Sequence, residues 1–509
     1  MDTKYQANNK RIAKNTFILY VRMGITMIVQ LYTSRVVLQA LGVIDYGIYN
    51  IVGTVVVMFS FISNPLSTAT QRFYNYELGR SDFNKLNKVF NISIYIYAII
   101  AIVMFLLMEP IGCWYIMKQM NIPAERINAA IIAFQFSLFS FLFSLIRTPY
   151  QSMIIANERM SFFAYVSIFE VILKLINAFS LSWFGFDRLI MFTLNQCSIS
   201  IIYFILVLIY SKKEFLATKL RLIWDKQLFR QLFSFTGWSL FGSLASMSAD
   251  QGVNVIINHF YGVTVNAAVG IASQVSSAVN QFVANFQVAF RPQMVKLYAS
   301  DEQEALKNLI FSSAKFSYLL LFAIACPIIY NIDLLLKLWL GNVPQYANEF
   351  VIFNIVYMLL ETISAPLWMT IQATGKIKTY QLIISAVMFL NIVFSVIFLS
   401  AGFSPVVVII IKCILAIVYF VVRILVVRKK IDLSILSFIY KVIIPIVFVT
   451  ILSSLVYVIS FKFVSKSVSM MIVTTFVFYI VYLPSVISFC LSKSEREYLF
   501  SVIRNRLFH

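Results

Sequence analysis

Fourteen apolar runs, each about as long as a membrane-spanning helix, follow one another along this sequence. The hydrocarbon core of a bilayer is roughly 30 Å thick, and an α-helix needs about 20 residues to cross it. Only 12% of the residues are charged and 61% are hydrophobic, a composition unlike that of soluble domains. We therefore predict an all-α integral membrane protein with about 14 transmembrane helices. The runs lie near 15–38, 45–69, 89–112, 129–149, 161–184, 189–210, 231–258, 264–290, 309–331, 347–369, 379–401, 405–427, 439–460 and 468–490.

The distribution of basic residues indicates how the chain is oriented. It has 41 Lys and Arg against 21 Asp and Glu, a net charge of +20. With the N-terminus in the cytoplasm, 27 of the 41 basic residues lie in inner segments, 6 in outer loops and 8 within the spans. This asymmetry follows the positive-inside rule, so the basic balance reflects topology and not a nucleic-acid partner. We expect both termini in the cytoplasm and contact with the anionic headgroups of the bilayer.

Cysteine and histidine usage disfavours a metal centre. The five cysteines are scattered without CxxC spacing, and only two histidines are present. No disulfide framework, zinc site or cofactor is expected. Arg22 interrupts the first apolar run and no small-residue cleavage site follows, so we expect a retained first span, not a signal peptide.

Short matches between the two halves suggest a duplication. Leu41-Gly42-Val43 recurs as Tyr261-Gly262-Val263, 220 positions later, and Arg72 matches Arg291. A third set compares 149–159 with 366–376. A repeated unit of six spans has an even number of crossings, so both copies enter the membrane in the same orientation, as in parallel-repeat transporters. We predict a six-helix lobe at 1–218, a second at 219–430, and two additional helices with a cytoplasmic tail at 431–509.

For two long connections between spans, the sequence is compatible with two different structures. Segments 70–88 and 211–230 mix Arg and Lys with large apolar residues. They fit either amphipathic helices at the membrane interface or ordinary polar connectors.

Charges inside the predicted spans are the first candidates for a site. Arg22 and Arg35 lie in span 1, and an Arg at a helix centre costs about 2.5–3.5 kcal/mol for insertion. Either they face a wet cavity or their long side chains reach the interface. Glu170 and Lys174 are four residues apart on one face of span 5, which fits a structural ion pair or a coupling pair.

Spans 7 and 8 are the least hydrophobic. Their Gly, Ala and Ser residues fit helix packing, but that explanation poorly accounts for so many carboxamides, and lining of an aqueous cavity fits better. The candidate residues are Asp250, Asn254 and His259 in span 7 and Gln274, Asn280, Gln281 and Asn285 in span 8.

The first hairpin resembles that of a known family. Arg35, then Leu41-Gly42, then Tyr46-Gly47-Ile48-Tyr49-Asn50 resemble the first hairpin of the polysaccharide flippases, within the multidrug/oligosaccharidyl-lipid/polysaccharide exporter superfamily. The stretches "NERMSFFAYVSIFE" and "ATGKIKTYQ" resemble that family's segments between spans 4 and 5 and between spans 10 and 11. The resemblance covers essentially the whole chain and marks the family better than the cargo.

The resemblance implies a function without bond chemistry. Such proteins move undecaprenyl-pyrophosphate-linked oligosaccharides of O-antigen, capsule or exopolysaccharide across the bacterial inner membrane by alternating access. Arg22 and Arg35 would then guide the pyrophosphate, since a guanidinium binds phosphate bidentately. The polar residues of spans 7 and 8 would meet sugar hydroxyls, and spans 13 and 14 would offer an apolar groove to the polyprenyl tail. A monomer is expected, with a polysaccharide polymerase as a further candidate partner.

Two other functions remain open. A cation-coupled drug or metabolite antiporter of the same superfamily would use an acid in span 1 or 7. Asp250 in span 7 is compatible with that alternative. A membrane polysaccharide polymerase or ligase would be an enzyme with a sizeable outer loop. The outer loops here, at 113–128 and 332–346, are short and show no acid/base constellation.

Overall fold

The computed structural model describes residues 2–118, 120, 122–181, 186–221, 223–460, 467–491 and 496. The predicted cytoplasmic tail lies outside the described residues from 492 onward, except for residue 496. The described part of the chain is helical almost throughout and contains no strand. Its helices are α1 (Asp2–Phe59), α2 (Ser63–Gly79), α3 (Phe83–Lys118), α4 (Ile127–Ala156), α5 (Met160–Ser180), α6 (Arg188–Glu214), α7 (Lys226–Ala299), α8 (Gln303–Tyr330), α9 (Ile332–Leu340), α10 (Ala347–Ala373), α11 (Lys378–Ser400), α12 (Val407–Ile431), α13 (Ile435–Phe438), α14 (Ile444–Ser460) and α15 (Val468–Ser485).

These helices account for the predicted spans. Eleven helical stretches of the described residues are long and apolar enough to cross a membrane. The three other predicted spans, near 45–69, 231–258 and 264–290, lie in α1 with α2 and in α7. The expectation of an all-α membrane protein with about fourteen spans is therefore confirmed.

A single glycine divides each of the two longest helices. Gly42 in α1 has φ 76° and ψ 170°, and Gly262 in α7 has φ 75° and ψ −170°. This backbone conformation is essentially restricted to glycine, because in any other residue the Cβ atom would clash with the residue's own flanking backbone. The two glycines are the pair that the sequence matches at 220 positions, so the repeated tripeptide marks a repeated backbone break.

Further matched turns support the duplication. Ser81 and Asp301, again 220 positions apart, both have φ 57°. Glu158 and Gly375, 217 positions apart, have φ 59° and φ 74°. Corresponding helices thus end in the same left-handed turns in both halves.

The chain forms two compact units. The first runs to Leu244 and includes Arg291–Asp301. In it, α4 packs against α6, α3 and α2, and the apolar residues Phe134, Leu138 and Leu145 of α4 are fully buried.

The second unit comprises Ala245–Phe290 and the chain from Glu302 onward. Its α10 packs against α12 and α8, which repeats the packing of α4 on α6 and α3. Helices α14 and α15 pack on each other and on α8. The lobe boundaries predicted at 218/219 and 430/431 stay a prediction.

The connection between α6 and α7 is not an amphipathic helix. Between the end of α6 at Glu214 and the start of α7 at Lys226, the described residues form only a short 3₁₀ turn at Leu216–Thr218. Segment 70–88, by contrast, is mostly helical, since α2 ends at Gly79 and α3 begins at Phe83.

Candidate functional site

The two arginines of span 1 have different surroundings. The guanidinium carbon of Arg22 lies 4.7 Å from the ring centroid of Phe163 on α5, and the side chain is half-buried. Arg35, further along α1, is exposed. The packing of α1 against α5 therefore orders Arg22 beside an aromatic ring and leaves Arg35 accessible.

The predicted pair in span 5 is formed. Lys174 Nζ lies 2.8 Å from Glu170 Oε1, and both side chains are partly exposed, 33% for Lys174 and 20% for Glu170. The geometry is that of an i,i+4 ion pair on one helix face. Whether the pair has a structural or a coupling role stays a prediction.

These residues belong to a larger group in the first unit, which we call the cationic cluster: Arg22, Arg147, Glu170, Lys174 and Tyr203. The guanidinium carbon of Arg147 on α4 lies 3.8 Å from the ring centroid of the buried Tyr203 on α6. Tyr203 also lies within electrostatic range of Glu170 and Arg22. Three cations therefore share this part of α1, α4, α5 and α6 with one carboxylate.

Arg147 is the member that sequence reasoning missed. Its place near the end of a predicted span suggests an interfacial anchor, yet the ring of Tyr203 holds it within the cluster. Its Nε has no hydrogen-bond partner among the described residues. A buried N–H without a partner is unusual, so the hydrogen-bonding capacity of this guanidinium is not fully satisfied within the described residues.

The polar residues of α7 are mostly accessible. Asn254 is half-buried. Asn285 is buried, and its Nδ2 donates to the carbonyl of Gln281 at 2.9 Å, so this amide is engaged within its own helix. The exposed members of the predicted set are Asp250, His259, Gln274, Asn280 and Gln281. Their assignment to cargo stays a prediction.

Asp250 has a partner that sequence analysis did not identify. Lys412 Nζ on α12 lies 2.7 Å from Asp250 Oδ1 and 4.7 Å from the ring centroid of Tyr357 on α10. Lys412 stands alone in an apolar run, which is a signal that an in-span charge needs a partner. The pairing itself joins residues 162 positions apart, which one sequence does not disclose.

A second ion pair lies deeper in the same unit. Arg423 on α12 is 5% exposed, and its Nη1 lies 2.8 Å from Glu361 Oε2 on α10. Arg423 also donates to the hydroxyl oxygens of Tyr380 on α11, at 2.8 Å, and of Ser364. Because the guanidinium is enclosed by these partners, this pair fits a structural role that ties α10, α11 and α12 together.

Arg126 anchors the chain just after the Gly42 break. Its Nε and Nη2 donate to the carboxylate of Asp45 at 2.9 and 2.6 Å, and it also pairs with Asp187. Asp187 caps α6 by accepting from the N–H groups of Leu189 and Ile190. Although burial raises the pKa of Asp187, the hydrogen bonds from Arg126 and these N–H groups outweigh it and bring the pKa below its usual value.

An apolar pocket opens in the second unit between α8, α9 and α15. Its volume is about 410 Å³, and its lining includes Pro327, Leu335, Ile472 and Phe476, with Asn331 as a polar member. It borders the last predicted span, where sequence analysis expects a groove for the polyprenyl tail. The occupant of the pocket stays a prediction.

Comparisons with known proteins bear on the fold. No family model matches the sequence, and no curated protein matches it. Among solved structures, an outward-facing multidrug resistance MATE family transporter of the MOP superfamily superposes with TM-score 0.69 at 14% identity. A MOP superfamily transporter from Pyrococcus furiosus superposes with TM-score 0.70, also at 14% identity. Each match covers 84% of this chain and 96% of the other.

The chain has the fold of the MOP superfamily transporters. A MATE structure described as the bent conformation gives TM-score 0.68 at 14% identity, so the likeness extends over several solved structures. The superfamily indicated by the sequence resemblance is thus supported at the level of fold. The polysaccharide flippase subfamily is not, because identities this low carry no information about cargo.

Proposed function

We propose that this protein is a membrane transporter for an anionic amphiphile, an undecaprenyl-pyrophosphate-linked oligosaccharide. The observation that supports the proposal is the cationic cluster, in which Lys174 pairs with Glu170 while Arg22 and Arg147 lie against the rings of Phe163 and Tyr203. Charges within a membrane span are expensive, and an excess of one sign favours a ligand of the other. A pyrophosphate supplies that charge.

The second unit supports an anionic cargo in a different way. Its in-span carboxylates Asp250 and Glu361 are each paired with an internal cation, Lys412 and Arg423, at 2.7 and 2.8 Å. A cationic cargo or coupling ion would have to displace the side chain of Lys412 or Arg423 that already pairs with the carboxylate. An anion, in contrast, competes with Asp250 for the partly exposed Lys412.

The glycan and the tail of the proposed cargo also find suitable surroundings. Exposed carboxamides on α7, such as Gln274, Asn280 and Gln281, present both donors and acceptors to sugar hydroxyls. The apolar pocket between α8, α9 and α15 suits a hydrocarbon chain. We place the protein in the bacterial inner membrane, with cytoplasmic termini and as a monomer, together with a polysaccharide polymerase as a candidate partner.

A cation-coupled drug or metabolite antiporter is the second candidate. The comparisons support it more directly than the first, since one superposed structure is a multidrug resistance transporter. Asp250 is the residue to which it points, with 51% of its side chain exposed despite the ion pair. A polymerase or ligase has less support, because the superposed structures reported above are transporters.

Deletion of the gene followed by lipid analysis tests the first candidate. The expected result is accumulation of one undecaprenyl-linked oligosaccharide on the inner leaflet. Complementation with Arg35→Glu is expected to fail while protein level persists, and Arg80→Glu, an equal charge reversal at an exposed residue outside the spans, is the matched control. Full complementation by both Arg35→Glu and Arg22→Glu would remove the phosphate role of these arginines.

The second candidate has its own test. Export of ethidium-like cations that is lost in Asp250→Asn would support an antiporter. Absence of lipid-linked oligosaccharide accumulation in the deletion strain, together with such export, would overturn the flippase proposal.

A further inference from the structure

The connection between α6 and α7 has an unusual combination of a fixed backbone and exposed apolar side chains. We call residues 215–221 and 223–225 the linker segment. Its backbone is extended at Phe215 (φ −121°, ψ 108°), Lys219 (φ −64°, ψ 120°) and Asp225 (φ −126°, ψ 104°). Between these residues lies the 3₁₀ turn Leu216–Thr218, and the backbone groups that the turn does not pair need other partners.

Two asparagines of α3 supply those partners. Asn87 Nδ2 donates to the carbonyls of Ala217 and Lys219 at 2.7 and 2.8 Å. Asn91 Nδ2 donates to the carbonyl of Lys219 at 3.2 Å, and its Oδ1 accepts from the N–H of Arg221 at 2.8 Å. Both asparagines are buried. The side chains of Asn87 and Asn91 therefore hold the backbone of the linker segment against α3.

This attachment leaves large apolar side chains uncovered. Leu216 is 79% exposed, Leu220 56% and Trp224 61%. Trp224 keeps a defined orientation through ring contacts with Phe229 and Tyr95, at centroid distances of 4.9 and 6.3 Å. Three exposed large apolar residues within nine positions of a fixed backbone indicate an interaction surface.

Basic residues predominate among the charges of the same region. Lys219 and Arg221 are exposed, as are Lys212 and Lys213 at the end of α6. The two acids of the region are engaged elsewhere: Glu214 lies 3.8 Å from Arg159, and Asp225 caps α7 by accepting from the N–H of Leu228 at 3.0 Å. The surface thus combines exposed apolar side chains with basic groups that these acids do not neutralise.

The position of the linker segment identifies its partner. It begins directly after Arg188–Glu214, a stretch long and apolar enough to cross a membrane, and ends at the start of α7, so we infer that it lies at the depth of the lipid headgroups. Aromatic residues prefer that depth, and basic residues near it attract anionic lipids. We propose that the linker segment is a membrane-surface anchor. Leu216, Leu220 and Trp224 enter the acyl boundary, and Lys219 and Arg221 bind the phosphates of anionic phospholipids. This anchor goes beyond the proposed transport function and does not depend on the cargo.

Trp224 is itself a probe of this surface. The full-length protein is reconstituted into vesicles of phosphatidylcholine and phosphatidylglycerol in which only one lipid carries bromine on its acyl chains. The fluorescence difference between wild type and Trp224→Phe isolates the quenching of Trp224. Bromine-labelled phosphatidylglycerol is expected to quench Trp224 at a lower mole fraction than bromine-labelled phosphatidylcholine. Each cation raises the affinity for anionic lipid about fivefold. Lys219 and Arg221 together should therefore give roughly a 30-fold higher affinity for phosphatidylglycerol than for phosphatidylcholine.

Matched charge variants separate the anchor from general electrostatics. Lys219→Gln/Arg221→Gln is expected to abolish the preference for phosphatidylglycerol, with folding checked by size-exclusion chromatography. Lys429→Gln/Lys430→Gln, an equal loss of exposed charge at the end of α12, is expected to keep it. Trp224 that no bromine-labelled lipid quenches, equal quenching by both lipids in wild type, or equal loss in the two double variants would each overturn the proposal.

Discussion

Glu158 is the buried carboxylate whose removal has the most definite consequence. It lies in the turn between α4 and α5, with 2% of its side chain exposed. Gln293 Nε2 donates to both carboxylate oxygens at 2.7 Å, and Lys296 Nζ lies 2.7 Å from Oε1. Gln293 and Lys296 belong to the end of α7 that packs within the first unit. Glu158 thus fastens a turn to a helix 135 residues away.

The loss of unfolding free energy in Glu158→Ala can be estimated from these contacts. Removing one partner of a buried ion pair costs about 3–5 kcal/mol, because the other charge stays buried without compensation. Lys296 is 22% exposed and recovers part of its hydration, so we expect the lower end, about 3 kcal/mol. Glu158→Gly should cost about 1 kcal/mol less than Glu158→Ala, because the turn has φ 59° and glycine adopts that conformation without strain. Gly375 occupies the matching turn of the second half with φ 74°.

The measurement is the free energy of unfolding in mixed micelles titrated with a denaturing detergent, followed by circular dichroism. Glu304→Ala is the matched control, since Glu304 is 79% exposed and its pair with Lys307 should contribute less than about 1 kcal/mol. If Glu158→Ala lowers the free energy of unfolding no more than Glu304→Ala does, the buried contacts of Glu158 with Gln293 and Lys296 do not stabilise the fold. If Glu158→Gly is less stable than Glu158→Ala, the account of the turn is wrong.

Three further predictions concern the helix break, the ion pair and acid stability. Gly42→Ala should destabilise by about 1–3 kcal/mol, because Gly42 has a backbone conformation essentially restricted to glycine, whereas Gly47→Ala, in a helical stretch, should not destabilise; thermal unfolding of both variants in detergent checks this. Lys412→Gln should slow transport of the anionic cargo while Asp250→Asn, which leaves the cation in place, should not, and initial transport rates in vesicles compare them. Because the folded pKa of Asp187 lies below its usual value, its stabilisation should be complete above about pH 3.9 and be lost as pH falls through the folded pKa; a pH series of melting temperatures should show this loss in wild type and not in Asp187→Asn.

Much of the architecture is predictable from the sequence, because a bilayer imposes a length on each apolar run. The repeat is also predictable, since the tripeptides around Gly42 and Gly262 recur 220 positions apart, and both glycines break a helix in the structure. The continuity of α1 and α7 across these breaks is less evident. A glycine between two apolar runs signals a turn, and the sequence does not distinguish a loop from a kink that keeps helix on both sides.

The candidate site is only partly predictable, because its charges meet across helices distant in sequence. Glu170 and Lys174 are found by local spacing, since they share one helix face. Arg147 and Lys412 gain their significance from Tyr203 and Asp250, on other helices. Charge inside an apolar run is visible in the sequence, but its partner depends on tertiary packing.

The central claim is that this protein moves an anionic lipid-linked oligosaccharide between leaflets. The most direct measurement reconstitutes the purified protein with a fluorescent undecaprenyl-pyrophosphate-linked oligosaccharide and adds a membrane-impermeant reducing agent that bleaches only the outer leaflet. Bleaching is expected to proceed beyond the outer-leaflet fraction seen in protein-free vesicles, and Arg22→Glu is expected to remove this excess. Bleaching that stops at the outer-leaflet fraction, while the same vesicles move an ethidium-like cation along an ion gradient, would contradict the central claim.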